Sequence, residues 1–269
     1  MAQSTITLAF FRPPAALTHP GPGRPGRERP KVVPMPTVLL LRHGRSTANT
    51  SGVLAGCAPG VALDDRGREQ AAALPARLAG LPLAAVVTSP LQRCRETVRP
   101  LLDTRPDLPL HTEERLGECR YGDWTGRKLS ELADEPLWRT VQHHPSAAVF
   151  PGPDGESVRE MSARAVAAVR DWNLRVEEEA GQGALYAVCT HGDVIKALVA
   201  DALGMHLDLF QRISVDPCSV TAIRYTPLRP FLLRLGDTGD LTGLLPPPAA
   251  AEDPTEAGDA AVGGGAGAP

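Results

Sequence analysis

Two histidines, each followed by glycine and each closing an apolar run, are the residues of this chain best placed to do chemistry. Arg42-His43-Gly44 ends the run "VLLL", and Thr190-His191-Gly192 ends "LYAVC". Arg93, in "TSPLQRCRET", stands one helical turn beyond a third run, "AAVVT". Neighbouring cationic groups repel unless something anionic lies between them. Arginine forks match phosphate oxygens, usually two at a time. Glycine after each histidine lets backbone come close to a ligand. His191 and Gly192 precede a helical pattern, whose free N–H groups and dipole favour an anion. Arg42, His43, Arg93, His191 and Gly192 together could hold a phosphoryl group, and a neutral imidazole could attack it.

These residues must be brought together from distant parts of the chain. Residues 38–42, 84–88 and 185–190 are short apolar runs bounded by turn residues, as buried strands are. Between them lie helical patterns: residues 65–80, capped by Asp64 or Asp65, stopped by Gly80 and kinked at Pro75; residues 90–102, with Ser89 as the cap; and residues 155–179. Residues 192–203 are a further helix, with Gly204 as its stop. Residues 219–225 and 231–235 read as late strands in a hairpin. Strands alternating with helices predict an α/β fold: a three-layer α/β/α sandwich with a mostly parallel central sheet. In such sheets ligands bind beyond the carboxyl ends of the strands, which is where both histidines and both arginines fall.

Composition bounds the alternatives. The chain has 269 residues and 42% hydrophobic content, enough for one large domain. Net charge is −3, so no global basic field points to nucleic acid or an anionic membrane. Lysine occurs only at 31, 128 and 196, so an arginine counts only by its position. Cys57, Cys94, Cys119, Cys189 and Cys218 are odd in number and scattered, without a C-x-x-C, against a disulfide framework or zinc site and for a cytoplasmic location. No apolar run is long enough to cross a bilayer. No internal repeat and no Walker loop occurs, which argues against nucleotide hydrolysis. Residues 1–34 are rich in proline and glycine and read as a disordered or non-native extension, with Met35 as the natural start. Residues 35–245 form the expected domain, and residues 246–269 a disordered Pro/Ala/Gly-rich tail.

The blocks "LLLRHGRSTAN", "VVTSPLQRCRET", "LGECRYGDWTG", "GPDGESVREMSAR" and "AVCTHGDVIKAL", in this order, resemble the histidine phosphatase superfamily, also called the phosphoglycerate mutase-like family. The resemblance runs from about Pro36 to Leu235. It implies the phosphoglycerate mutase-like fold. It places His43 as the nucleophile that becomes phosphohistidine, and Arg42, Arg93 and His191 in the phosphate pocket. Asn49 falls near the phosphate, and Glu118 on the general acid and base. No metal or cofactor is implied, since cationic side chains neutralise the phosphoryl oxygens. The implied partner is a phosphorylated small molecule; dimers are common among relatives, so a homodimer is one expectation.

Several residues compete for these roles. Arg95 neighbours Arg93 and reads as a solvated or ion-paired helix residue. Asp193 rivals Glu118, although capping is its ordinary use at a helix start. Glu156 and Ser157 could face the pocket or only cap a helix, and Thr88 and Ser89 could touch phosphate or pack the strand end. Arg164 could brace the site through an acidic neighbour, against a default of a solvated face. Arg45 departs from the family pattern, in which the residue after R-H-G is commonly acidic or an amide. The superfamily holds both phosphatases and phosphomutases. The short stretch 126–151, with "WRTVQHHPSAAVF", reads as a lid over an organic substrate, which favours a phosphatase over a mutase. A non-catalytic phospho-ligand sensor ranks lower, because His43 and Glu118 are both present.

Overall fold

The computed structural model describes residues 35–239; the expectations for residues 1–34 and 246–269 lie outside the described residues. The sheet has six strands in the order β3-β2-β4-β1-β5-β6. They are β1 (Thr37–Arg42), β2 (Leu83–Thr88), β3 (Leu110–Thr112), β4 (Leu185–Thr190), β5 (Val220–Arg224) and β6 (Phe231–Asp237). The first four in spatial order run parallel, while β5 and β6 are antiparallel to their neighbours and form the expected hairpin.

The central strands β1 and β4 are buried along almost their whole length because both faces of the sheet are covered there, the usual reason a parallel strand reads as an unbroken hydrophobic run, whereas β3 and β6 at the edges are largely exposed. Successive side chains point to opposite faces. Val38 and Leu40 join one core with Val194, Leu198, Ala168 and Trp172. Leu39 and Leu41 join the other with Leu78, Cys94, Val98 and Leu101. The first core packs α6 (Val158–Ala180) and α7 (Gly192–Leu203) on one face; the second packs α3 (Gln92–Thr104), beside α2 (Asp65–Arg77), on the other. The fold is the expected three-layer α/β/α sandwich.

Helix ends follow local chemistry, with two departures from expectation. Asp64 caps α2 by accepting from Gly67 N, but the helix stops at Arg77 and not at Gly80. Ser89 is not the cap of α3; Leu91 stands there without a side-chain bond. Ser157 and Glu160 form a reciprocal capping box on α6, and Gly204 ends α7 in the left-handed conformation.

The stretch from β3 to α6 is irregular. It holds only α4 (Leu129–Leu132), α5 (Pro136–His143) and short 3-10 turns. Its apolar groups do not form a lid: Trp138, Val141, Ala148 and Phe150 are buried in the first core. Trp124 and Phe150 meet edge-to-face at 5.4 Å, and Tyr121 and Phe150 at 4.8 Å. The apolar payload of this stretch anchors it to the domain. Among the described residues no helix is long and apolar enough to cross a membrane.

Candidate active site

Sheet order dictates the site. Strands β2, β4 and β1 are adjacent, and their register aligns Arg42 with Thr190 and Thr88 with Cys189. The next residues, His43, His191 and Ser89, therefore leave the sheet side by side. The two imidazoles lie with ring centroids 5.2 Å apart. Arg93, on the buried face of α3, reaches both: Nε donates to His43 Nε2 at 3.3 Å, and Nη2 is 3.2 Å from His191 Nδ1. Arg42, His43, Arg93 and His191 are all buried.

Hydrogen bonds settle the tautomers. His43 Nδ1 is 2.7 Å from Gly44 O, which can only accept, so Nδ1 carries the proton. Nε2 then presents its lone pair. His191 has the opposite arrangement: Nδ1 faces an arginine N–H, and Nε2 donates to Ser89 Oγ at 2.8 Å. Burial, then Arg93 and Arg42, holds the His43 imidazole well below its ordinary 6.5. Burial, then Arg93 and His43, does the same for His191. Both rings are neutral near pH 7, and His43 Nε2 is ready to act as a nucleophile.

The cations are held by backbone. Arg93 Nη2 donates to Gly56 O at 2.8 Å, and Arg42 Nη1 to Val215 O at 2.7 Å. Arg93 Nη1 is buried with no hydrogen-bond partner among the described residues, which suits a group that receives an anionic oxygen. Burial lowers Arg42 to about 10, so it keeps its charge near neutrality. The turn carrying His43 is locked to α3: Gly44 N donates to Thr97 Oγ1 at 2.9 Å, and Thr97 Oγ1 donates to Arg93 O at 2.6 Å. A Cβ on Gly44 would lie 2.7 Å from Gly67 O, so glycine is required where this turn passes α2.

Glu118 reaches the same pocket from the irregular stretch. Its carboxylate lies 3.8 Å from His191 Nδ1 and accepts from Cys119 N at 2.9 Å. Burial, then the charge of Asp193, raises it to about 7, a value suited to giving and taking a proton near neutrality. Asp193 is engaged elsewhere, accepting from Tyr121 OH at 2.8 Å and lying 3.5 Å from Lys196 Nζ. The arrangement favours Glu118 over its rival.

Glu156 and Arg164 brace the segment that carries Glu118. Arg164 clasps the buried Glu156 through Nε at 3.0 Å and Nη2 at 2.6 Å. It also donates to the carbonyls of Arg115, Gly117 and Glu118 at 2.6, 2.9 and 2.9 Å. Arg164 is therefore not a solvated helix residue. Ser157 is the helix cap, while Glu156 sits inside the brace.

Other expectations divide. Gly192 is buried at the start of α7, beside His191. Asn49 closes the turn at Ser46, which begins α1 (Thr47–Thr50): its Oδ1 accepts from Ser46 N at 3.0 Å and Ser46 Oγ at 2.9 Å. No hydrogen bond joins Asn49 to the four central side chains among the described residues. Arg45 pairs with Asp64 at 2.6 Å, so its first use is to fasten the turn to α2. Arg95 is exposed on the outer face of α3, away from Arg93. The supports at Thr97, Ser89 and Gly56 carried no sequence signal for those roles, since each becomes visible only when separate strands and turns meet. Among the described residues no three His, Cys, Asp or Glu side chains group as metal ligands.

Residues 38–238 match the histidine phosphatase superfamily (branch 1). The chain is 31% identical over 190 residues to adenosylcobalamin/alpha-ribazole phosphatase of Escherichia coli (strain K12), covering 68% of this chain and 87% of that one. It is 26% identical over 193 residues to 2,3-bisphosphoglycerate-dependent phosphoglycerate mutase 2 of Gloeobacter violaceus, covering 71% and 86%. Among solved structures, YhfR of Bacillus stearothermophilus superposes with a TM-score of 0.67 at 28% identity, over 75% of this chain and 97% of that one.

Proposed function

The chain is an enzyme belonging to the histidine phosphatase superfamily, and on that premise we propose that it hydrolyses a small-molecule phosphomonoester through a phosphohistidine on His43. The observation that carries this reading is the state of His43: neutral, with Nδ1–H on Gly44 O and the Nε2 lone pair facing a buried guanidinium. Nε2 attacks phosphorus, the bond to the leaving oxygen breaks, and Glu118 protonates that oxygen. Water then attacks the phosphohistidine, Glu118 takes its proton, the P–N bond breaks and phosphate leaves. Arg42, Arg93 and the Gly192 N–H hold the equatorial oxygens as charge spreads over them, and His191 joins them at Nδ1 once the incoming anion lets that nitrogen take up a proton. The amide of Asn49 serves as an outer contact to the same group. The chemistry of this donor set asks for no metal, because the cations are supplied by side chains.

A cytoplasmic location belongs to the same proposal, supported by five cysteines that are all free. The test is a metal-free assay of the parent protein and His43→Ala, with an aryl phosphate and with 3-phosphoglycerate, each with and without 2,3-bisphosphoglycerate. Phosphate released by the parent alone, with an acid-labile phosphoenzyme trapped during turnover, is the expected result. Primer-dependent isomerisation with little free phosphate would overturn it in favour of a mutase.

A further inference from the structure

A cleft of about 440 Å3 is lined in part by Cys57 and Arg120, which lie next in sequence to the Gly56 carbonyl that anchors Arg93 and to the Glu118 segment. Cys57 lines it, directly after the Gly56 carbonyl that anchors Arg93, and its thiol reaches Glu118 O at 3.4 Å. Arg120, Asp123, Thr125 and Asp154 line the rest. A leaving group attached to a phosphoryl group on His43, within reach of Glu118, would extend into this space.

Its charge is unsuited to an anion. Arg120, the cation among these residues, lies 3.2 Å from Glu156, the carboxylate already clasped by Arg164. Asp123 and Asp154 are exposed carboxylates with no basic partner among the described residues. Asp123 is also held in place. Its N–H donates to Pro151 O at 2.8 Å, and its carboxylate lies so close over Gly152 that a Cβ there would overlap it. Ionised carboxylates are acceptors only, so what they can receive is a hydroxyl or amine donor. The Thr125 hydroxyl can donate or accept.

Resting on the phosphatase reading, we propose that this cleft selects phosphomonoesters of uncharged, hydroxyl-rich alcohols and turns away substrates bearing a second anionic group. Asp123 and Asp154 would be the specificity-determining residues, accepting hydrogen bonds from leaving-group hydroxyls and repelling a carboxylate or second phosphate.

Glycerol 3-phosphate and 3-phosphoglycerate make a matched pair, differing in a CH2OH for a carboxylate. The ratio of their kcat/KM values should favour glycerol 3-phosphate by about tenfold or more, the scale of a like-charge contact partly screened by water. It should shrink with added salt. The double variant Asp123→Asn/Asp154→Asn should bring the ratio down by about tenfold, through a lower KM for 3-phosphoglycerate. Equal use of the two substrates, or a ratio unmoved by the double variant, overturns the proposal. 4-Nitrophenyl phosphate separates the two failures. If the parent hydrolyses it and His43→Ala does not, a missing preference refutes only the cleft; if the parent hydrolyses no phosphomonoester, both readings fall.

Discussion

Replacing Glu118 by glutamine should stabilise the protein at alkaline pH while removing most of its activity. The buried carboxyl is raised from 4.5 to about 7, first by burial and then by Asp193. The folded protein thus holds this proton to higher pH than the unfolded chain. Its contribution to stability is complete below the unfolded value near 4.5, declines as pH rises, and is lost through about 7. At about 1.36 kcal/mol for each pH unit of separation, the ionised carboxylate costs the fold roughly 3 kcal/mol near pH 8. Glutamine is uncharged at every pH, and its oxygen can keep the 2.9 Å bond from Cys119 N. Glu118→Gln should therefore gain roughly 3 kcal/mol over the parent near pH 8, or about 6–12 °C in Tm for a domain of this size. Near pH 4.5 it should gain almost nothing. Hydrolysis of an alkyl phosphate should fall by about 100-fold or more. Urea unfolding of both proteins at the two pH values, with a phosphate-release assay, makes the comparison. A gain of equal size at both pH values, or a loss near pH 8, would refute the argument that burial penalises this carboxylate.

The pH dependence of kcat/KM should be bell-shaped: the acid limb, set by protonation of His43, lies below 6.5, and the alkaline limb lies near 7, where Glu118 loses its proton. With an aryl phosphate, whose leaving group needs no acid, the alkaline limb should be absent from the parent as well as from Glu118→Gln; a persistent limb would assign it to another group. Arg164→Met leaves Glu156, 1% exposed, without its bidentate partner and should cost about 3 kcal/mol in urea unfolding. It should also lower kcat by about 100-fold, because the loop carrying Glu118 loses three carbonyl contacts. Adding Glu156→Gln to that variant should recover stability and not kcat, and recovery of both would deny Arg164 a positioning role. Gly67→Ala opposes two effects: helix propensity favours alanine by about 1 kcal/mol, but the new Cβ would overlap the Arg45 carbonyl. The overlap should win, with a net loss of about 2 kcal/mol by thermal unfolding, and a stabilised variant would refute the close approach.

The half of the candidate site that sits at strand ends was legible because a buried parallel strand announces itself as an apolar run. Residues 185–190 and 192–203 were bounded from such runs and a terminal glycine alone. The same logic could not reach residues 113–157. There α5 is eight residues long, α4 is four, and turns carry the rest, so no period emerges. Trp138 and Phe150 read as a lid because their burial in the core depends on partners distant in sequence. Glu118 is legible only through the family resemblance, and the brace at Arg164 is legible only as an alternative to a solvated face, because helical spacing does not say what a helix packs against. Ser89 reads as a helix cap in the sequence, and only the pairing of β2 with β4 shows that its hydroxyl serves His191.

The two halves of the site also differ in ancestry of chain. The grip on phosphate is assembled from strand ends scattered over some 150 residues, whereas the acid and the cleft walls at 120–125 and 153–154 come from one contiguous passage pinned by its own aromatic cluster. A passage exchanged as a cassette would have to bring its own acid along with its own cleft walls, so the alcohol recognised could change while the strand-end half stays untouched. The strand-end half and most of the cleft wall are thus encoded in separate parts of the chain, with Cys57 and Ala58 joining the cleft from a third.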